Sequence, residues 1–153
     1  MLNSIIEDIR FAEVMQQNIQ NLMAYLFEKD QNFGVLCKLE HTRFEPELPE
    51  YISSEFRHMT LFYLAGYTFE SANIIDNELV FEAGFGAENF GSVVSVPIGA
   101  IMQVIVEDTP ILINVSNYQK PQIKTISKDA SQGVQNSMTS FLSNPENSKF
   151  LKK

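Results

Sequence analysis

The clearest pattern of apolar and polar positions runs from residue 73 to residue 107. From Glu78 onward, Leu79, Phe81, Ala83 and Phe85 share one face, while Glu78, Glu82 and Gly84 share the other. That alternation predicts a strand with one face on a core. Asp76-Asn77 precedes it, between two runs rich in β-branched and aromatic residues, and both side chains tolerate left-handed backbone angles; a tight hairpin is expected there. Gly84 and Gly86 leave the far end of the strand bare, so another backbone can approach or the strand can bend. A loop follows at 87–91, then a strand at 92–96. Pro97 suits the first position of a helical turn over 97–101, since its missing N–H is not needed there. Strands at 102–106 and 111–115 are expected to close a last hairpin around Asp108-Thr109-Pro110.

Upstream, Ser4-Ile5-Ile6-Glu7 has the form of a capping box opening a helix. Along that helix Ile5, Ile9, Ala12, Met15, Ile19, Leu22 and Leu26 recur at steps of three and four. A second set, Ile6, Phe11, Val14, Met23 and Phe27, widens the stripe beyond what one sheet surface covers. Either the whole stripe packs on the chain's own sheet, or part of it (Ile5, Ile9, Ala12, Met15, Ile19) forms a two-fold dimer contact. Gly34 is expected to stop the helix. Strands then follow at 33–40 and 56–65, the latter apolar on both faces and therefore expected to be central. Gly66 turns the chain into a further extended run over 67–75. Glu45-Pro46-Glu47-Leu48-Pro49-Glu50 cannot hold a regular ladder, because its prolines lack donors and its carboxylates repel; it reads as an acidic surface loop. The expected fold class is α+β: an N-terminal helix followed by a strongly curled antiparallel sheet or small SH3/Sm-like barrel, over residues 1–116.

Composition refines this. With 153 residues the chain suits one domain with a real core. Residues 1–116 carry five Lys/Arg against seventeen Asp/Glu, net −12, whereas 117–153 carry six lysines against Asp129 and Glu146, net +4. An acidic body repels nucleic acid, and the tail lysines are too scattered for a phosphate-binding stripe, so no nucleic-acid partner is expected. No apolar run long enough to span a membrane and no secretory signal is visible, and the single Cys37 excludes an internal disulfide; a cytoplasmic, reducing setting is expected. From Asn117 the chain turns to Ser, Gln, Asn and Lys, the composition of a flexible tail. Within it Val134, Met138, Phe141 and Leu142 keep the spacing of a short amphipathic helix, and Phe150, Leu151, Lys152 and Lys153 make an apolar, basic end.

Candidate chemistry is sparse. Cys37 lies in an apolar run and reads as a buried small hydrophobe. His41 and His58 lack partners at ligand spacing, so no metal site is expected, and no cofactor motif is present. No serine sits in a nucleophile-elbow context, and Gly84-Phe85-Gly86 lacks the lysine of a phosphate loop. A non-enzymatic role is expected.

The run Phe81-Glu82-Ala83-Gly84-Phe85-Gly86, followed by Val94-Ser95-Val96-Pro97-Ile98-Gly99-Ala100-Ile101, resembles the core of the stringent starvation protein B (SspB) family. These are adaptors that hand ssrA-tagged peptides to the ClpXP protease. The resemblance extends back to about Met59, and more loosely to the N-terminal helix, covering roughly three quarters of the chain. It implies a homodimer and a groove on each subunit for a degron peptide, placed here around Leu61, Tyr63, Phe81, Phe85, Val93, Val94 and Ser95. It also implies a tail whose last residues, Phe150 to Lys153, dock on a ClpX-type unfoldase. This chain departs from the family pattern in its longer loop after Gly86, with Ala87 and Glu88, and in Gly84, where a better-known member has a basic side chain. The loss of that positive partner implies weaker binding of the partly acidic ssrA tag or a different peptide preference. A rival reading, an acidic secretion-type chaperone that binds an unfolded segment of a partner, fits the same length and charge but needs no basic tail.

Overall fold

A computed structural model describes residues 2–119. The expected helix near 134–142 and the docking residues 150–153 lie outside them. The N-terminal helix is interrupted. A short α1 (Leu2–Ile6) is followed by α2 (Ile9–Glu28), whose N-cap is Asp8, its carboxylate accepting the Arg10 N–H at 2.8 Å. Ser4 therefore sits inside α1 and does not open the long helix, because Asp8 is the better-placed cap. Nor is Gly34 the helix stop. The left-handed residue after α2 is Asp30, at φ 59°, and Gly34 lies within the first strand.

Eight strands are described: β1 (Phe33–Lys38), β2 (Arg43–Glu45), β3 (Met59–Leu64), β4 (Asn73–Ile75), β5 (Glu78–Phe85), β6 (Phe90–Pro97), β7 (Ile101–Val106) and β8 (Thr109–Ile113). They form two antiparallel sheets in the orders β3-β1-β7-β8 and β2-β6-β5-β4. The α+β class is as expected. The single curled sheet or barrel is not: there are two four-stranded sheets, neither closed nor strongly curled. The chain changes sheet at the 3-10 turn Ile98–Ala100, inside the expected 97–101 but with Pro97 as the extended last residue of β6 and Ile101 already in β7, so that β6 pairs in the second sheet and β7 in the first. Asn114 secures this crossing, donating to the carbonyls of Gly99 (3.2 Å) and Ile101 (2.9 Å) and accepting from the Ser116 hydroxyl (2.7 Å), all buried.

Several local expectations move. β3 is an edge strand, not a central one, with β1 inside it. Residues 66–71 form a short helix, α4 (Gly66–Ser71), where an extended run was expected, and α3 (Glu50–Ser53) closes the acidic loop. The last hairpin turns at Glu107-Asp108 (φ 47° and 76°), two residues early. Pro110 is thus in β8, an edge strand that tolerates a missing donor. The Asp76-Asn77 hairpin stands as expected: both residues are left-handed (φ 48° and 64°) and Ile75 pairs with Glu78.

The inner faces of both sheets share one apolar cluster with Ile19, Met23 and Leu26 of α2. Phe44, Phe56, Phe62 and Phe85 stack edge-on or tilted, 5.8–6.3 Å apart, at one end of it. Cys37 is fully buried as expected, and desolvation pushes its thiol pKa far up. Phe81 is also enclosed, whereas Val93, on the neighbouring strand, is exposed. Phe81→Ala is expected to lower unfolding free energy by about 3–5 kcal/mol, and Val93→Ala by no more than about 0.5 kcal/mol, both read from urea denaturation.

Candidate functional site

The outer face of the second sheet carries a groove of about 490 Å3. Its floor follows from the register of β5 and β6. With Leu79, Phe81, Val94 and Val96 committed to the core, alternation turns Glu82 and Gly84 of β5, and Gly91 and Val93 of β6, outward. Gly84 and Gly91 are directly paired, so neither puts a side chain of its own on this floor. Over Gly84 lies the side chain of Asn89, occupying the space a Cβ would need; over Gly91 there is nothing within 4 Å.

Two walls bound this floor. On one side α4 brings Tyr67 and Thr68, and the Tyr67 hydroxyl donates to Glu82 at 2.7 Å. On the other stand Glu45, at the end of β2, and Pro46, whose carbonyl accepts from the Ser92 hydroxyl at 2.8 Å and so ties the loop to β6. Tyr51 of α3 donates to Glu88 at 3.0 Å, fastening the β5–β6 loop at the end of the sheet.

The edge of β5 is partly open as well. β4 reaches only to the Asn73–Val80 pair, and the next outward-aimed N–H, that of Glu82, is accepted by the Ser71 hydroxyl of α4 at 2.9 Å. By alternation, the N–H and C=O of Gly84 point to the same edge, beyond the reach of β4. Bare backbone, open edge groups and flanking side-chain walls are what an extended peptide needs.

The expected groove residues separate. Val93 lines this groove, and Ser95 lies two residues further along the same outer face. Phe81 and Val94 are core, and Phe85 packs inward among the aromatic rings. Leu61 and Tyr63, 52% and 51% exposed, lie on the outer face of the first sheet, where they cover Gly34. The sequence pattern did not single out Tyr67, Thr68, Glu45 or Gly91; the cue available for Gly91 was a glycine directly before an alternating strand. In the expected dimer set, Ile5 and Ile9 are 51% and 59% exposed and Ala12 and Met15 half-buried, but Ile19 is wholly in the core and offers no surface.

Among the described residues no three His, Cys, Asp or Glu side chains are placed to share a metal ion. Nor is any helix among them long and apolar enough to cross a membrane. No family model and no curated protein matches the sequence.

The Tyr67–Glu82 hydrogen bond raises the Tyr67 phenol pKa above its ordinary 10.0, chiefly because the carboxylate accepts the proton that ionisation would remove. The bond is therefore kept at neutral pH and lost only as pH rises through the raised value. Ring-carbon NMR titration is expected to show Tyr67 ionising above pH 10.0 and moving back toward it in Glu82→Gln, whose amide does not carry the charge.

Proposed function

We propose that the protein is a non-enzymatic, homodimeric adaptor of the SspB type, which holds an ssrA-type degron peptide in the groove over Gly84, Gly91 and Val93 and delivers the tagged protein to the ClpXP protease. The observation that carries this reading is the groove itself: a glycine-paired floor beside a partly open β5 edge. Main-chain groups there supply affinity for an extended chain, and the walls at Tyr67 and Glu45 supply selectivity. Exposed Leu2, Ile5 and Ile9 supply an apolar surface for the two-fold contact. The tail, net +4 over 117–153, tethers the complex to a ClpX-type unfoldase through Phe150, Leu151, Lys152 and Lys153. Neither contact has to be strong, since joining them raises the effective concentration of substrate at the protease.

Gly91 provides a clean test, because a Cβ there meets nothing within 4 Å, so a side chain can be added that occupies the groove without displacing the core. A labelled ssrA peptide is expected to bind saturably in fluorescence anisotropy, a scrambled peptide not to, and Gly91→Leu to weaken binding at least about tenfold while the unfolding midpoint stays put. Phe85→Ala would be a poor probe, since Phe85 is part of the aromatic packing. Unchanged affinity in a folded Gly91→Leu would rule this groove out.

Removing residues 143–153 is expected to leave peptide affinity intact while abolishing stimulation of ClpXP degradation of a tagged substrate. A secretion-type chaperone would keep its partner-binding function after the same deletion.

A further inference from the structure

One row of side chains crosses the groove. Glu45 of β2 and Glu82 of β5 are both register partners of Val93 on β6, and all three are exposed on the same face. The two carboxylates therefore stand either side of an apolar platform, about 9–10 Å apart at their bases, two strand spacings. Among the described residues no Lys or Arg lines the groove. The only Lys or Arg on β2, Arg43, is bound at 2.9 and 3.2 Å by both oxygens of Glu78, one row further along. Glu82 accepts a hydrogen bond from neutral Tyr67, which leaves its charge in place. Arg43 also acts on Glu45, but it is committed to Glu78, so one guanidinium faces the three carboxylates of Glu45, Glu78 and Glu82 and the floor stays net negative.

We infer that the groove selects peptides carrying a lysine or arginine, seated with its aliphatic stem along Val93 and its cationic head between Glu45 and Glu82. A long side chain with an apolar stem and charged head matches an apolar platform flanked by carboxylates. An acidic side chain at that position would meet two like charges. Gly91, one row away and with open space above it, lets the peptide backbone come close enough to place that side chain. This inference rests on the peptide-groove reading and adds the charge of the ligand to it.

The test is selection from a random dodecapeptide display library on the full-length protein, with two variants alongside: Gly91→Leu, which fills the groove at unchanged net charge, and Glu45→Gln/Glu82→Gln, which keeps shape and the Tyr67 partner. Expected are selected peptides enriched in Lys or Arg at one position. A synthetic copy of the best one is expected to lose about tenfold in affinity when that residue becomes Gln, a similar factor on the double-Gln variant, and further affinity between low and high salt. Peptides that bind wild type but not Gly91→Leu, yet show no basic preference or an unchanged one on the double-Gln variant, overturn the inference and leave the groove standing. Basic peptides that bind Gly91→Leu equally well reveal attraction to the acidic surface at large and overturn it too. No enrichment on wild type over Gly91→Leu overturns both readings.

Discussion

Everything about the groove depends on the register between β5 and β6. Eight consecutive pairs, from Glu78–Pro97 to Phe85–Phe90, place one set of side chains in the core and the other on the outer face. Because the period is two, a slip of one residue would bring Phe81 to the surface and drive Glu82 inward, where an unpaired charge costs several kcal/mol. Turns brace the strand pair at both ends. Asp76 and Asn77 hold the β4–β5 hairpin in left-handed geometry, with Asn77 accepting the Ile98 N–H at 3.0 Å, and Gly86 and Asn89 close the β5–β6 loop with a 3.0 Å bond between them. The groove is thus an outcome of core packing: the residues that line it are those the core does not take.

The two sheets present different outer faces. On the second, glycines and carboxylates lie between α4 and the Pro46 loop. The first exposes Met59, Leu61 and Tyr63 on β3 and Ile111 and Ile113 on β8. Its edge strands are short, six residues in β3 and five in β8, and Pro110 lies in the latter, features that limit edge-to-edge pairing. Charge follows the same division, with Glu45, Glu82 and Glu88 gathered at the groove and its loop.

Signals local in sequence were legible. The Asp76-Asn77 turn, the alternation from Leu79 to Phe85 and the turn after Pro97 each rest on a few adjacent residues whose chemistry has one good solution. Signals that depend on distant partners were not. Met59, Leu61 and Tyr63 look like the second buried face of a central strand, and only the strand order shows that β3 has a neighbour on one side. Tyr67, Thr68 and Phe69 have the residue types of a strand, yet form a helical turn that takes up only part of the edge β4 leaves open, at the Glu82 N–H. The change of sheet at Ile98–Ala100 turned the expected barrel into two sheets, because a continuous run of short strands does not say which of them share hydrogen bonds. For the site, apolar character was the guide, and it led to Phe81 and Val94, which the core had already claimed. The groove is instead marked by absent side chains, at Gly84 and Gly91, and by two glutamates brought together from β2 and β5.

Cys37 lies at the centre of this arrangement, on β1 between β3 and β7, with no exposed surface and a thiol that burial keeps protonated. A thiol reacts with alkylating reagents as the thiolate, so this one is silent until β1 leaves the core. As the chain's single cysteine, it is a built-in clock for core opening. Its labelling rate reports opening of the shared core, while the groove lies on the far side of β5 and β6 and can be refilled or recharged without touching it. Damage to the fold and damage to recognition thus leave separate chemical records in one molecule.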